Sequence, residues 1–432
     1  MRGRIIWAVL SLAIWLAPAN VFSAAPARPS EDQACLECHA DEAVARKNLV
    51  FVDPTVFANS IHGRLQCTDC HADAVEKDNN PHPRELAKVN CPSCHYKGNP
   101  EGAPNFTPMQ QYKTSVHGRA SESGDQDVAT CSACHGKHNI KPASDPESTI
   151  NRLNIPRTCA VCHDNMQMVL KHNIHAEQPY SEYEQSVHGK ALFQDGVASM
   201  AAVCTDCHGV HDIQANGDAD LKPHQPATCG KCHQVEYNIY SGSIHGEAFQ
   251  QGVLDVPVCS DCHGEHTIAA PWNPESSVSA FKVTYTCAGC HDDVTRMSKY
   301  NILTNKVSTF KQSDHGVGND LGIVAVATCV SCHGYHDILP ANNPASSIHL
   351  SQFEKTCGKA NCHPDPSPEI LSAHIHVDGT DQNFENLRRI RTIALWSIGA
   401  LAGFGVAAGL LAFALRIGQN FERPSGRGEN GE

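Results

Sequence analysis

Two apolar stretches lie at opposite ends of the chain, and proline and glycine interrupt the long segment between them. Residues 5–16 form an apolar run that is too short to span a bilayer, whereas residues 392–415 run for 24 residues without a charge, which is long enough. Proline and glycine together supply 56 residues, and many of them separate short segments of the interior. The pattern predicts mostly coil with short α-helices, little or no β-sheet, and one C-terminal transmembrane helix.

The N-terminal stretch has the features of a secretory signal. Arg2 and Arg4 precede the apolar run, and small residues around Ser23 and Ala24 suit a signal peptidase. An uncleaved N-terminal anchor is the alternative. The interpretation we favour is a signal peptide over residues 1–24 and an exported chain after it.

The C-terminal stretch predicts a membrane span over residues 387–416. A buried amphipathic helix is the alternative, but no charged face interrupts the run. Three arginines flank each end, so the positive-inside rule does not decide the orientation. Because large exported domains translocate largely regardless of charge, we expect residues 25–386 outside the membrane and residues 417–432 in the cytoplasm. The spacing of Gly399 with Gly403, and of Gly405 with Gly409, would allow close approach of a second helix.

All 22 cysteines occur in pairs, and a histidine follows each pair directly. Ten pairs have the spacing Cys-x-x-Cys-His, and the eleventh is wider, with four residues between Cys357 and Cys362. The paired cysteines are Cys35 and Cys38, Cys67 and Cys70, Cys91 and Cys94, Cys131 and Cys134, Cys159 and Cys162, Cys204 and Cys207, Cys229 and Cys232, Cys259 and Cys262, Cys287 and Cys290, Cys329 and Cys332, and Cys357 and Cys362. The histidines that follow them are His39, His71, His95, His135, His163, His208, His233, His263, His291, His333 and His363.

Cys-x-x-Cys-His is the attachment motif of covalent c-type haem, in which two thioethers hold the porphyrin and the histidine ligates the iron. Zinc sites, disulfides and thioredoxin-like sites are the alternatives, but none of them requires a histidine after the second cysteine. The motif series therefore predicts eleven covalently bound haems c, or ten if the wider site at Cys357 is empty. No cysteine is left for a disulfide, a nucleophile or an iron–sulfur cluster.

Composition agrees with a chain built around cofactors. Aromatic residues make up only 6% of the sequence, so a core of protein alone would be thin for this length. We expect short helices wrapped around a haem array, and we expect the haem-free chain to fold poorly. Removal of the signal peptide takes the net charge from −13 to −15, which disfavours nucleic-acid binding.

A repeat becomes visible once the attachment motifs are set aside. Each of five modules begins with Ser-x-His-Gly, continues with Cys-x-x-Cys-His-Gly-x-His, and ends with a second attachment motif, usually after threonine. The motif at Cys35 precedes the modules as a lone extra site. In the first module Ala72 replaces the glycine, and His82 is the expected substitute for its histidine. The repeated histidines, which we interpret as distal iron ligands, are His62, His117, His188, His245 and His315 in Ser-x-His-Gly, and His138, His211, His266 and His336 in Gly-x-His.

Counting histidines gives a functional expectation. Of 27 histidines, eleven follow cysteine pairs, and the repeat with His82 supplies ten distal ligands. One more is needed, and the sequence does not choose among the remaining histidines. Met166 or Met168 could also serve one haem, although packing is the interpretation we favour. The competing histidines are His172, His175, His224, His349, His374 and His376.

Iron with two axial histidines has no open position for a substrate, which suits electron transfer. Eleven motifs within residues 35–363 also force neighbouring haems close together. A distal histidine a few residues from one attachment motif is better placed to reach the adjacent haem than its own. We therefore expect cross-ligation that connects successive haems into a continuous path for electrons.

The repeated elements resemble bacterial multihaem cytochromes c with paired attachment motifs, like cytochrome c3 and c7 modules strung together. The resemblance rests on Ser-x-His-Gly, on Gly-x-His-x-Ile ending at Ile140, Ile213, Ile268 and Ile338, and on Thr-Cys-x-x-Cys-His. It implies an inner-membrane protein facing the periplasm. The implied partners are a quinol-linked subunit such as a b-type cytochrome, and periplasmic carriers or reductases, as in anaerobic respiration. The alternative is an enzyme with one open-site haem that reduces nitrogen or sulfur oxyanions.

Overall fold

The computed structural model describes residues 32–45, 51–74, 82, 86–99, 107–174, 178–194, 197, 199–214, 221–372, 375–376 and 382–421. The chain forms two compact units, one up to Leu221 and one from Lys222. The proposed signal peptide lies outside the described residues.

Short helices joined by turns build both units, and no strand occurs in the described ranges. Apart from the last helix, the α-helices are four to ten residues long. The prediction of short helices without β-sheet is confirmed. The first unit contains α1 Gln33–His39, α2 Glu42–Ala45, α3 Pro54–Ala58, α4 Cys67–Cys70, α5 Thr107–Thr114, α6 Val116–Glu122, α7 Cys131–His135, α8 Ile155–His163, α9 Met166–His172, α10 Pro179–Gln185, α11 Val187–Phe193 and α12 Cys204–His208. The helices from the unit boundary onward are α13 Leu221–Gly230, α14 Gln234–Ser241, α15 Ile244–Gln250, α16 Cys259–His263, α17 Val283–His291, α18 Val294–Ser298, α19 Lys306–Gln312, α20 Asp314–Asp320, α21 Cys329–His333, α22 Phe353–Cys357, α23 Pro368–Leu371 and α24 Gln382–Phe421.

In the last four modules the Ser-x-His-Gly motif is a junction between two helices, whereas in the first module a turn follows Ser60. Its serine caps the second helix: the Ser243 Oγ accepts a hydrogen bond from Gly246 N at 3.1 Å and donates one to Tyr240 O at 2.7 Å. Ser115, Ser186 and Ser313 make the same two bonds. An N-cap serine satisfies backbone donors that the helix cannot. The motif histidine therefore sits in the first turn of its helix, with a fixed backbone direction.

The motif glycine is required because the preceding helix passes against it. A Cβ on Gly246 would overlap the backbone carbonyl of Tyr240, and the glycines of the other modules meet the equivalent carbonyl. We expect Gly246→Ala to destabilise the protein by about 3 kcal/mol, since the obstacle is backbone and not a flexible side chain. Thermal unfolding followed by circular dichroism and haem absorbance measures the change.

Gly242 provides the matched control four residues away. It ends α14 with φ −91°, and a Cβ there would lie 3.7 Å from Ile239 O, which is ordinary contact. Gly242→Ala should leave the unfolding temperature nearly unchanged. Equal effects at the two positions would contradict the proposed close approach.

Most attachment motifs form a single helical turn whose start and end are specified locally. In α12 and α16, Asp206 and Asp261 reach back to the N-cap N–H at 2.7 Å. The glycine that follows the histidine has φ between +79° and +85° in the last four modules, a left-handed conformation that glycine adopts without strain. Where Ala72 replaces this glycine, a short 3-10 turn over Ala72–Ala74 follows instead.

The threonine before the second attachment motif also has a structural reason. Thr286 Oγ1 donates to Ser277 O at 2.6 Å, and Ser277 Oγ donates to Cys262 O of the preceding motif. Thr158 and Thr356 make the equivalent bond at 2.7 Å. Through these side chains the two attachment motifs of one module hold each other in position.

Helix α24 differs from the rest in length and surface. Within it, residues Arg389–Leu415 are apolar enough to cross a membrane, with a mean hydropathy of 2.2, and none of that stretch is buried. Among the described residues it is the one helix that passes this test of length and composition. The C-terminal apolar helix predicted from the sequence is therefore present.

Candidate haem-binding sites

Nine of the described histidines that follow cysteine pairs each face another histidine, and the distance between the two ring centroids is nearly constant. In one set, a Ser-x-His-Gly histidine faces the histidine of the second attachment motif of the same module. Their ring centroids are 6.0–6.3 Å apart. The pairs are His62 with His95, His117 with His163, His245 with His291, and His315 with His363.

In a second set, the partners come from different modules. The Gly-x-His histidine of one module faces the first attachment histidine of the module before it, again at 6.0–6.3 Å. Backbone hydrogen bonds between modules fix this pairing. The Ile61 N–H donates to the carbonyl of Ile140, which ends a Gly-x-His-x-Ile motif, at 2.9 Å. Equivalent bonds of 2.8 Å join Val116 to Ile213 and Ile244 to Ile338. These pairs are His71 with His138, His135 with His211, and His263 with His336.

The two ends of the series are closed by histidines outside the repeat. His82 stacks on His39 with the centroids 5.9 Å apart, so the substitute expected in the first module lies opposite the lone first motif. At the other end, His376 lies 6.2 Å from His333. His188, His208, His233 and His266 make interactions as well, and they hold the same positions in the sequence repeat.

The distance between facing ring centroids can be compared with the distance expected for two imidazoles bound to one metal ion. A metal–imidazole nitrogen bond is about 2.0 Å long. A ring nitrogen lies roughly 1.15 Å from the centre of a five-membered ring with bonds near 1.35 Å. Two imidazoles on opposite sides of one iron should therefore have centroids about 6.3 Å apart. The nine observed pairs span 5.9–6.3 Å, so the residues present fit haem iron held by two histidines.

Burial prepares these rings for a metal. Burial, and secondarily the facing His291, lower the pKa of His245 to about 4. The same causes lower the pKa of His117 and His333, again with burial first. Metals bind the neutral imidazole, so a depressed pKa keeps the ring in its ligating form at neutral pH.

The wider eleventh motif reaches the same geometry as the others. In a standard motif the histidine N–H donates to the carbonyl of the first cysteine, as His233 does to Cys229 at 2.9 Å. His363 makes the same bond to Cys357 at 3.1 Å despite the two inserted residues. Its ring then faces His315 at 6.0 Å. The insertion is absorbed between the cysteines and does not displace the histidine.

Neighbouring attachment motifs touch through their cysteines. The Cys91 thiol lies beside that of Cys131, and in the haem-free chain this neighbour lowers the pKa of Cys91 because it stabilises the thiolate. Cys229 and Cys259 form an equivalent contact, which lowers the pKa of Cys229 to about 7. Second cysteines also interact, as Cys262 does with Cys290. Haems attached at such cysteines would lie close together, and this part of the expectation from sequence density stays a prediction.

Three of the six candidates for the eleventh distal ligand either interact with other groups or are exposed to solvent. His172 Nδ1 lies 3.3 Å from Asp125, His349 Nδ1 accepts from Ser351 N at 3.2 Å, and His224 is exposed. His175 and His374 lie outside the described residues. Sequence reasoning did not select His376, although one signal was available: the last module has no successor to supply a Gly-x-His histidine.

The paired cysteines, the histidines that follow them and the facing rings are sites suited to covalent haem c, and one family match supports a multihaem c-type cytochrome in electron transfer. Residues 52–96, which contain His62 and the attachment motifs at Cys67 and Cys91, match the family model described as cytochrome c554 and c-prime. No curated protein and no solved structure matches the chain. The resemblance to cytochrome c3 and c7 modules stays a prediction.

Proposed function

We propose that the chain conducts electrons through an array of up to eleven haems c, each with two axial histidines. The observation that supports it best is the uniform separation of the facing histidine rings, 5.9–6.3 Å. A ring on each side of the iron leaves no position for a substrate. We extend the same role by repeat position to His188, His208, His233 and His266.

The chain's own residues explain why this array suits transfer over catalysis. Bound haem iron would supply a one-electron couple. Half-buried imidazoles, placed by capped helices and crossing backbone bonds, would hold the iron from both sides, so oxidation and reduction would need little rearrangement. Contacts such as Cys91 with Cys131 keep successive attachment points adjacent, which shortens each transfer step.

We further propose that α24 anchors the cytochrome in a bacterial inner membrane with the haem-binding part in the periplasm. An exposed helix with a mean hydropathy of 2.2 supports the anchor. The signal-like residues 1–24 and the covalent haem motifs support export, since c-type haem is attached outside the inner membrane. A quinol-linked membrane subunit, such as a b-type cytochrome, would be the donor, and periplasmic carriers or reductases the acceptors.

Carbon monoxide binding tests the conduit against an enzyme. The purified, dithionite-reduced protein should show low-spin spectra and bind no carbon monoxide, because every iron already has two histidine ligands. Optical titration counts the gas bound per chain. Rapid binding of one equivalent would instead favour the alternative, an oxidoreductase with one open-site haem for nitrogen or sulfur oxyanions.

A further inference from the structure

His376 lies where the fifth module lacks a partner. In the second unit, His263 of the fourth module faces His336 from the fifth module, but no later Gly-x-His exists to reach His333. His376 fills this position, with its ring centroid 6.2 Å from that of His333. The separation falls in the range of the repeat pairs, although His376 has a different sequence context.

Helix α19 orients the His376 ring. His376 Nδ1 lies 2.9 Å from Lys306 O, a carbonyl that can only accept, so Nδ1 carries the proton and donates. The Thr309 hydroxyl lies 3.2 Å from the same nitrogen, and Thr309 is 6% exposed. With Nδ1 protonated, the lone pair of the neutral ring is on Nε2. A hydrogen bond of this kind sets the tautomer and increases the basicity of a ligating histidine.

Thr309 differs in type from the residues at the equivalent position of the other modules. It lies four residues before Ser313 of the Ser-x-His-Gly junction, where the other modules have Val56, Gln111, Glu182 and Ile239. None of those residue types offers a small hydroxyl. Of the five modules, only the fifth therefore carries a small hydroxyl at this position, which is where His376 arrives.

We propose that His376 is the distal ligand of the haem attached at Cys329 and Cys332, and that Thr309 and the Lys306 carbonyl position it. The tail after the last attachment motif thus replaces a sixth module and closes the array. Helix α24 begins six residues later, at Gln382, so the ligand of this haem lies on the connection to the apolar helix. The inference rests on the proposed array of haems with two axial histidines.

The full-length protein with its haems provides the test. His376→Ala should open one iron, so that carbon monoxide binding rises from none to one equivalent per chain and a high-spin ferric signal appears in electron paramagnetic resonance. His349→Ala and His374→Ala are the controls and should bind none. If His374→Ala opens the site and His376→Ala does not, the assignment is wrong.

Two further variants separate ligation from folding and from positioning. His376→Met should keep six ligands and raise the midpoint potential of one haem, which remains measurable if the alanine variant fails to fold. Thr309→Val should shift the low-spin resonance signal of that haem without carbon monoxide binding, and Thr309→Ser should restore it. An unchanged signal in Thr309→Val would overturn the positioning role. Carbon monoxide binding by the unsubstituted protein would instead contradict the proposed function.

Discussion

The haem-free chain is expected to be unfolded. Among the described residues nine hydrophobic side chains are buried, including Val203, Val258 and Phe310. Burial of a Val, Leu, Met or Phe side chain contributes about 1.5–3 kcal/mol, whereas ordering each residue of backbone costs about 1–2 kcal/mol. So small a protein core cannot order a chain of 432 residues. Large apolar side chains beside the attachment cysteines, such as Val161 at 73% exposure, need a porphyrin to cover them.

Comparison of matured and unmatured protein measures this dependence. The same chain, without residues 1–24 and ending at Leu387, would be produced in the cytoplasm, where haem is not attached, and compared with the exported, matured form. Far-ultraviolet circular dichroism of the unmatured chain should lack a cooperative thermal transition, and a protease should digest it at concentrations that leave the matured form intact. A cooperative transition in the haem-free chain would show that the protein core suffices.

Sequence reasoning predicted the local elements well because their causes are local. The lack of strands among the described residues agrees with frequent proline and glycine. The serine cap of the Ser-x-His-Gly junction was not predicted, although its cause is also local, since Ser243 bonds residues three positions away on either side. The histidines that face each other were also among those selected from the sequence, including His82 as the expected substitute in the first module. The single exception among the described pairs is His376.

The partner of each histidine was harder to predict, because it depends on contacts between modules. His138 faces His71 and not the motif it follows, and this register is fixed by the bond from Ile61 N to Ile140 O, 79 residues apart in sequence. The two proposed distal histidines of a module therefore do not both face attachment histidines of that same module. Cross-ligation was the expectation drawn from spacing and stays a prediction, for which the facing of His138 and His71 is the arrangement required. A Gly-x-His histidine faces an attachment histidine of the preceding module. The motif at Cys35 is therefore faced by His82, and the first motif of the last module is faced by His376.

Removal of α24 is expected to release the cytochrome from the membrane completely. None of the stretch Arg389–Leu415 is buried in the folded chain, so its deletion removes no packing from the haem-binding part. A chain ending at Leu387 keeps His376 and every attachment motif. It should move from the membrane pellet to the soluble fraction with an unchanged haem spectrum, and quinol should no longer reduce it in membranes that contain the natural partner.

A matched variant distinguishes loss of the anchor from loss of the partner. Gly399→Leu with Gly403→Leu keeps the length and increases the hydropathy of α24, and no described atom lies within 4 Å of a Cβ at either position. This variant should stay in the membrane. If it also loses reduction by quinol, a neighbouring helix packs against the glycine face, since bulky side chains prevent close approach. If quinol still reduces the truncated soluble chain, the proposal is wrong. Electron transfer from quinol would then not need α24 to hold the cytochrome against a membrane donor.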